Sequence, residues 1–209
     1  MKLTILINLC ISFLILSCSS TKTLQTDKIK ELTILEIQTD TQNVALLEKC
    51  VGKYERLQQN IHLTEGAFPA FKNYKMALPL IFKRQETGFL PMQAEYFYSE
   101  PDLKIRYVSY DWERGRPVNL DKMPAIWREE SKKLPEYNQE YERIKIEVIK
   151  KFGTPTSQDN KPQIKKHPNY KELYYLVKES IWENDKFYAK LYMAFGSPNY
   201  MIRLYYYWK

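Results

Sequence analysis

Residues able to do covalent chemistry are scarce in this chain. Cys50 and His62 form the one conceivable thiol–imidazole pair. A nucleophilic thiol must be exposed and its pKa lowered. Cys50 falls between Leu47 and Val51 on what reads as the apolar face of a helix, so it is expected to be a buried small hydrophobe. His167 lies in a Lys-rich, Pro-containing loop, as an exposed bystander would. Two histidines and one free cysteine fall short of a zinc site, which takes about three or four nitrogen or sulfur ligands. The sequence therefore calls for no metal and no cofactor. Asp111 and Glu113 flank Trp112, and strand alternation puts both carboxylates on one face. Paired carboxylates about 5–10 Å apart can hydrolyse glycosides, but adjacent charges at a strand end read first as a solvated edge. Neither a glycine-rich phosphate loop nor a His-Glu-x-x-His or Gly-x-Ser-x-Gly motif is present. An envelope enzyme is accordingly the least supported of three functional classes.

The stronger signal is aromatic. The chain has 17 tyrosines, and they crowd toward its end. Over 186–195, alternation gives Phe187, Ala189, Leu191, Met193 and Phe195 one face and Tyr188, Lys190 and Tyr192 the other. Over 200–208, Tyr200, Ile202, Leu204, Tyr206 and Trp208 share one face. Met201, Arg203, Tyr205 and Tyr207 share the other. An outward face of Tyr188, Lys190, Tyr192, Arg203, Tyr205 and Tyr207 suits a protein partner or sugar rings, because such side chains are amphipathic and enriched at interfaces. The competing account is that helices cover this face, or that tyrosine is there only for its β propensity.

The elements that must position these residues are legible in part. Residues 29–38 alternate weakly, as a first strand would. Val44, Leu47, Val51 and Tyr54 recur at helical spacing behind Asp40 or Thr41 as caps, which predicts a helix over 43–58, weakened by Gly52. Pro69 and Pro79 forbid one straight helix through 65–83. Residues 92–99 and 103–113 are aromatic and β-branched around Ser99-Glu100-Pro101-Asp102, a hairpin signal. A Pro-containing loop follows. Tyr137, Tyr141, Ile144, Val148 and Phe152 then mark an amphipathic helix, with Gly153 placed for a left-handed cap and Pro155 beyond it. After a basic loop over 157–169, strands are predicted over 173–182, 186–195 and 200–208.

The N-terminus carries an address. Met1-Lys2 is followed by an uncharged apolar run, Leu3 to Leu16, too short for a bilayer span of about 20 residues and fitting a secretory signal peptide. Ile15-Leu16-Ser17-Cys18 closes it and resembles the lipobox of bacterial lipoproteins. That resemblance implies cleavage after 1–17 and lipid on Cys18, with two or more acyl chains for a stable hold. Residues 18–28, rich in Ser and Thr, would tether a domain spanning 29–209. Ser19 and Ser20 follow the anchor without an acidic run, which implies the outer membrane, facing the periplasm. The Tyr, Lys and Ile bias resembles uncharacterised lipoproteins of the Bacteroidetes. The chain is basic, with formal net charge +7, which favours anionic partners such as lipid headgroups, acidic polysaccharide or an acidic protein face. Nucleic acid is disfavoured by the compartment. Cys50 alone beside the anchor provides no internal disulfide, so packing must hold the domain.

One internal echo stands out. Pro101-Asp102-Leu103-Lys104-Ile105-Arg106 runs on to Trp112, and Pro198-Asn199-Tyr200-Met201-Ile202-Arg203 runs on to Trp208. Ala94 and Ala189 open the preceding strands. Two related helix-plus-strands halves, 29–115 and 135–209, explain this; chance likeness between Tyr-rich strands is the other reading. The order of elements over about 137–208 resembles the helix-plus-sheet units of BamE and β-lactamase-inhibitor-protein type, which implies helices on an antiparallel sheet. The expected fold is α+β, an antiparallel sheet of about five to seven strands with helices packed on one face.

Overall fold

A computed structural model of the chain describes residues 32–52, 54–84, 88–114, 123–166 and 172–209. The signal segment, Cys18 and the tether lie outside the described residues, as does His167. The class is as expected, α+β with an open antiparallel sheet, but among the described residues the sheet has nine strands rather than five to seven. Its order is β1-β2-β3-β4-β9-β8-β7-β5, with β6 also pairing β7. The strands are β1 Tyr54–Leu57, β2 Leu80–Arg84, β3 Met92–Tyr98, β4 Ile105–Glu113, β5 Ser157–Gln158, β6 Gln163–Lys166, β7 Tyr174–Glu183, β8 Phe187–Gly196 and β9 Asn199–Trp208. Helices α1 Thr41–Val51, α2 Met123–Glu130 and α3 Leu134–Phe152 contribute Val44, Trp127, Tyr137, Tyr141, Ile144 and Val148 to one core on one sheet face.

The local differences have local causes. Helix α1 starts earlier than predicted because the Asp40 side chain accepts from the Gln42 and Asn43 amides, at 3.0 and 2.9 Å. It stops at Val51 because Gly52 takes φ 114°, open to glycine but strained for other residues. The chain then enters β1, so Tyr54 pairs with Arg84 across two strands instead of extending a helical stripe. Cys50 is exposed rather than buried: α1 turns Val44, Glu48 and Val51 to the core. The Pro-containing loop after β4 holds α2, with Pro124 in its first turn, where a missing amide hydrogen is tolerated. The basic loop 157–169 contributes the short strands β5 and β6. Helix α3 is as read and ends at Gly153, but the cap is not the left-handed helical one: Gly153 has φ 79° and ψ −166°, its amide donates to the Ile149 carbonyl, and its carbonyl accepts from Trp182 Nε1 at 2.7 Å.

Residues 32–39 make no strand. They cross the helix-bearing face as an extended strap, with Leu32, Ile34 and Leu35 buried. The Leu35 amide donates to the Tyr110 hydroxyl at 2.9 Å, and the Tyr206 hydroxyl donates to the Leu35 carbonyl. Arg84 Nη1 donates to the Thr33 carbonyl at 2.6 Å, while Nε and Nη2 of the same guanidinium grip Glu48 at 3.0 and 2.7 Å. Glu48 is fully buried and Arg84 nearly so; removing one partner of such a pair typically costs about 3–5 kcal/mol.

The echo strands meet at the centre of the sheet. β4 and β9 pair antiparallel from Tyr107↔Tyr207 to Glu113↔Met201, joining the meander β2-β3-β4 to the meander β7-β8-β9. In β4 both Tyr98↔Ile105 and Phe97↔Tyr107 are partners, so Arg106 is an extra residue in a bulge. That residue accounts for the longer run from Arg106 to Trp112 than from Arg203 to Trp208. Ala94 faces Tyr110 and Ala189 faces Tyr206, each small side chain leaving room for the ring beside it.

Candidate binding site

The sheet face away from the helices carries the residues singled out above. Alternation holds along β8 and β9: Ala189, Leu191, Met193, Ile202, Leu204 and Tyr206 are buried toward the helices, while Tyr188, Lys190, Tyr192, Arg203, Tyr205 and Tyr207 lie half-buried on the opposite face. Met201, on that same face, is buried.

Half of this face is roofed by the chain itself. Segment 64–77 turns back on itself, with the Ala67 and Phe68 amides both donating to the Thr64 carbonyl at 3.0 Å. It is tied to the end of β3 by Ala77 N donating to the Tyr98 carbonyl at 3.0 Å. It places Phe68 in a second cluster with Phe97 and Tyr107, its ring 5.2 Å from Tyr207 and 6.2 Å from Tyr107. Tyr74 stacks on Phe68 at 6.0 Å and lies over the Arg106 guanidinium at 4.3 Å.

Beyond the roof a hollow of about 330 Å³ opens over β7, β8 and β9. Tyr107, Tyr175, Tyr192 and Tyr205 wall it, Ala67 marks the side nearest the roof, and Lys165, Lys190, Arg203 and Glu179 supply its charges. Arg203 grips Asp111 of β4 with two bonds, Nε to Oδ1 and Nη2 to Oδ2, the latter at 2.8 Å. Burial opposes the Arg203 charge, but the Asp111 carboxylate outweighs it and raises the guanidinium further. Glu179 takes Lys190 at 2.8 Å and Lys165 at 3.2 Å. Burial works against its charge too, yet these lysines hold its carboxyl below the usual range. Lys190 also lies 5.7 Å over the Tyr192 ring. Tyr192 and Tyr205 are raised by burial, so their hydroxyls stay protonated and can donate.

Asp111 and Glu113, the carboxylates read from the sequence, do not form a working pair. Asp111 is committed to Arg203 and accepts from Ser109 Oγ at 3.2 Å; Glu113 lies at the strand end, opposite Met201. The carboxyl that senses Asp111 is Glu95 on β3. Burial first, and the Asp111 charge second, push it up to about 7. Gln93 Nε2 donates to it at 2.7 Å. Glu95 and Asp111 are both buried, 6% and 7% exposed, and neither lines the hollow, which is not how a substrate-facing acid–base pair sits. Cys50 and His62 are not brought together. Cys50 is on α1, on the helix-bearing side, and His62 follows Ile61, which packs with the cluster on the other side. Among the described residues no group of three or more His, Cys, Asp or Glu is placed to hold a metal.

Sequence reasoning missed Glu95, Glu179 and Lys165. Alternation within β7, where Tyr175, Val177 and Glu179 share a face, carried a signal for Glu179. Lys165 had none, since β6 was read as loop. Comparisons with protein-family models, with curated proteins and with solved structures gave no match to this chain.

Proposed function

We propose that this protein is an exported lipoprotein without enzymatic activity that binds an envelope protein partner through the face formed by β7, β8 and β9. Residues 1–17 act as the signal peptide, and lipid on Cys18 anchors the chain to the outer membrane, facing the periplasm. The observation that carries the binding reading is the hollow: tyrosines beside cations that ion pairs hold in place, on the sheet face opposite the α-helices. Aromatic and arginine side chains held in this way suit a partner interface. A photo-crosslinking residue introduced at Tyr188 or Lys190 in cells should trap one recurrent envelope protein, and the same residue at exposed Ile146 of α3 should not. Equal trapping from both positions would defeat the reading.

The volume and aromatic walls favour one second reading, a glycan lodged in the hollow, since pockets for small ligands start at about 300 Å³. A saccharide that protects Lys190 from amine modification, where no envelope protein does, would decide for it.

We also infer that the halves arose by duplication. Support comes from the central pairing of the two Pro-[Asp/Asn]-x-x-Ile-Arg strands, the matched Ala94–Tyr110 and Ala189–Tyr206 pairs, and the strap residue Leu35 held by both of those tyrosines.

A further inference from the structure

The two halves of the sheet face opposite the α-helices are finished differently, and the finished half describes what the open half lacks. At the bulge, Tyr107 opposes Phe97 and Arg106 is the extra residue beside it. In the other half Arg203 alone opposes Tyr192. Over the first position the chain lays its own rings: Tyr74 above the Arg106 guanidinium at 4.3 Å, and Phe68 beside Tyr107 and Tyr207. Over the second position is the hollow.

We propose that the partner fills this hollow with an aromatic side chain laid against Arg203, flanked by acidic residues that meet Lys165 and Lys190. The inference rests on the reading of this face as a partner-binding surface. Three features support it. A guanidinium facing a ring is attractive, more so when water is excluded, and Arg203 is already held in place by two bonds to Asp111. The hollow, at about 330 Å³, is at the small end for a ligand pocket, which suits one large side chain better than a long oligomer. Its lining has three cations, Lys165, Lys190 and Arg203, against Glu179; with the Asp111 carboxylate on Arg203 the count is three against two, so a neighbouring carboxylate on the partner still meets net positive charge.

The test uses the full lipidated chain in detergent micelles and short synthetic peptides. One carries Tyr between Asp and Glu residues, a second has Leu in place of that Tyr, and a third has Lys in place of its acids. The first should bind, the second about tenfold more weakly and the third not at all, with affinity falling as salt rises. Lys190→Gln and Tyr192→Leu should each weaken the first peptide about fivefold or more. Ala67→Phe fills the hollow from its own wall and should abolish binding while the melting temperature holds. Equal affinity for the Tyr and Leu peptides, or undiminished binding to Ala67→Phe, would overturn the proposal. If every peptide fails while crosslinks from Tyr188 still trap the partner, the aromatic contact falls and the partner-binding face stands. If an oligogalacturonate binds and the peptides do not, the ligand is a glycan and the proposal falls with the partner reading.

Discussion

Glu95 shows how a residue's role follows from its neighbours. Its carboxyl has an ordinary pKa of 4.5 and is pushed up to about 7 in the fold, by burial and by Asp111. The folded chain therefore keeps a proton that the unfolded chain gives up. Stability from this group is fully present below about pH 4.5 and is lost as pH rises through about 7. Glu95→Gln should remove that component. Denaturant unfolding at pH 5 and pH 8 should show a smaller loss between the two for the variant than for the wild-type chain, and an unchanged difference would refute the assignment. Nothing in the local sequence around Glu95 announces this. The parity of β3 places it on the sheet face opposite the α-helices, but Asp111 reaches it only through strand pairing. Cys50 teaches the converse: a one-position error on a helical wheel turns an exposed thiol into a core residue, because successive helical positions differ by about 100°.

Among the elements, the strap is the least strand-like and one of the most tightly held. Its alternation over 29–38 reads as a strand, yet its backbone bonds to side chains of Arg84, Tyr110 and Tyr206 rather than to a neighbouring strand over Leu32–Leu35. Leu35→Pro removes the amide donated to the Tyr110 hydroxyl, leaving that buried group with Tyr96 as its other partner, and takes a buried leucine side chain out of the core. The expected loss is about 3 kcal/mol or more in denaturant unfolding. Ile37→Ala, at a position 76% exposed, should stay within about 0.5 kcal/mol. A Leu35→Pro variant as stable as Ile37→Ala would show that the strap is only draped on the core. The strands around the echo were legible because each is long, aromatic and bounded by turns. β1, β5 and β6 were not, being short and set mainly by an adjoining strand: Tyr54 pairs with Arg84, and Ser157 with Ile181.

At the scale of the whole molecule the proposal joins an anchor to a face. Among the described residues no helix is long and apolar enough to cross a membrane; the proposed anchor is lipid on Cys18. Cys18→Ala should abolish incorporation of a palmitate analogue and release the protein from washed membranes; continued labelling would show the anchor to be misassigned. With the lipid lost, the proposed binding face should be unaffected, since the hollow is built from residues far along the chain. Protease should reach the intact chain only after the outer membrane is opened, and digestion on whole cells would reverse the orientation.

Legible in the residues alone were the α+β class, helix α3 and its stop at Gly153, the hairpin of β3 and β4, the strands β7 to β9, and which tyrosines share a face. Each depends on a period of 2 or 3.6 residues and on turn chemistry within a few positions, so each is written locally. Tertiary structure alone decided that β4 and β9 are neighbours, that Asp111 serves Arg203, that Glu48 meets Arg84 in the core, and that segment 64–77 roofs one half of the face while the other half stays open. Those contacts join residues as far apart as Asp111 and Arg203, and no local pattern encodes a partner that only the pairing of distant strands brings within reach.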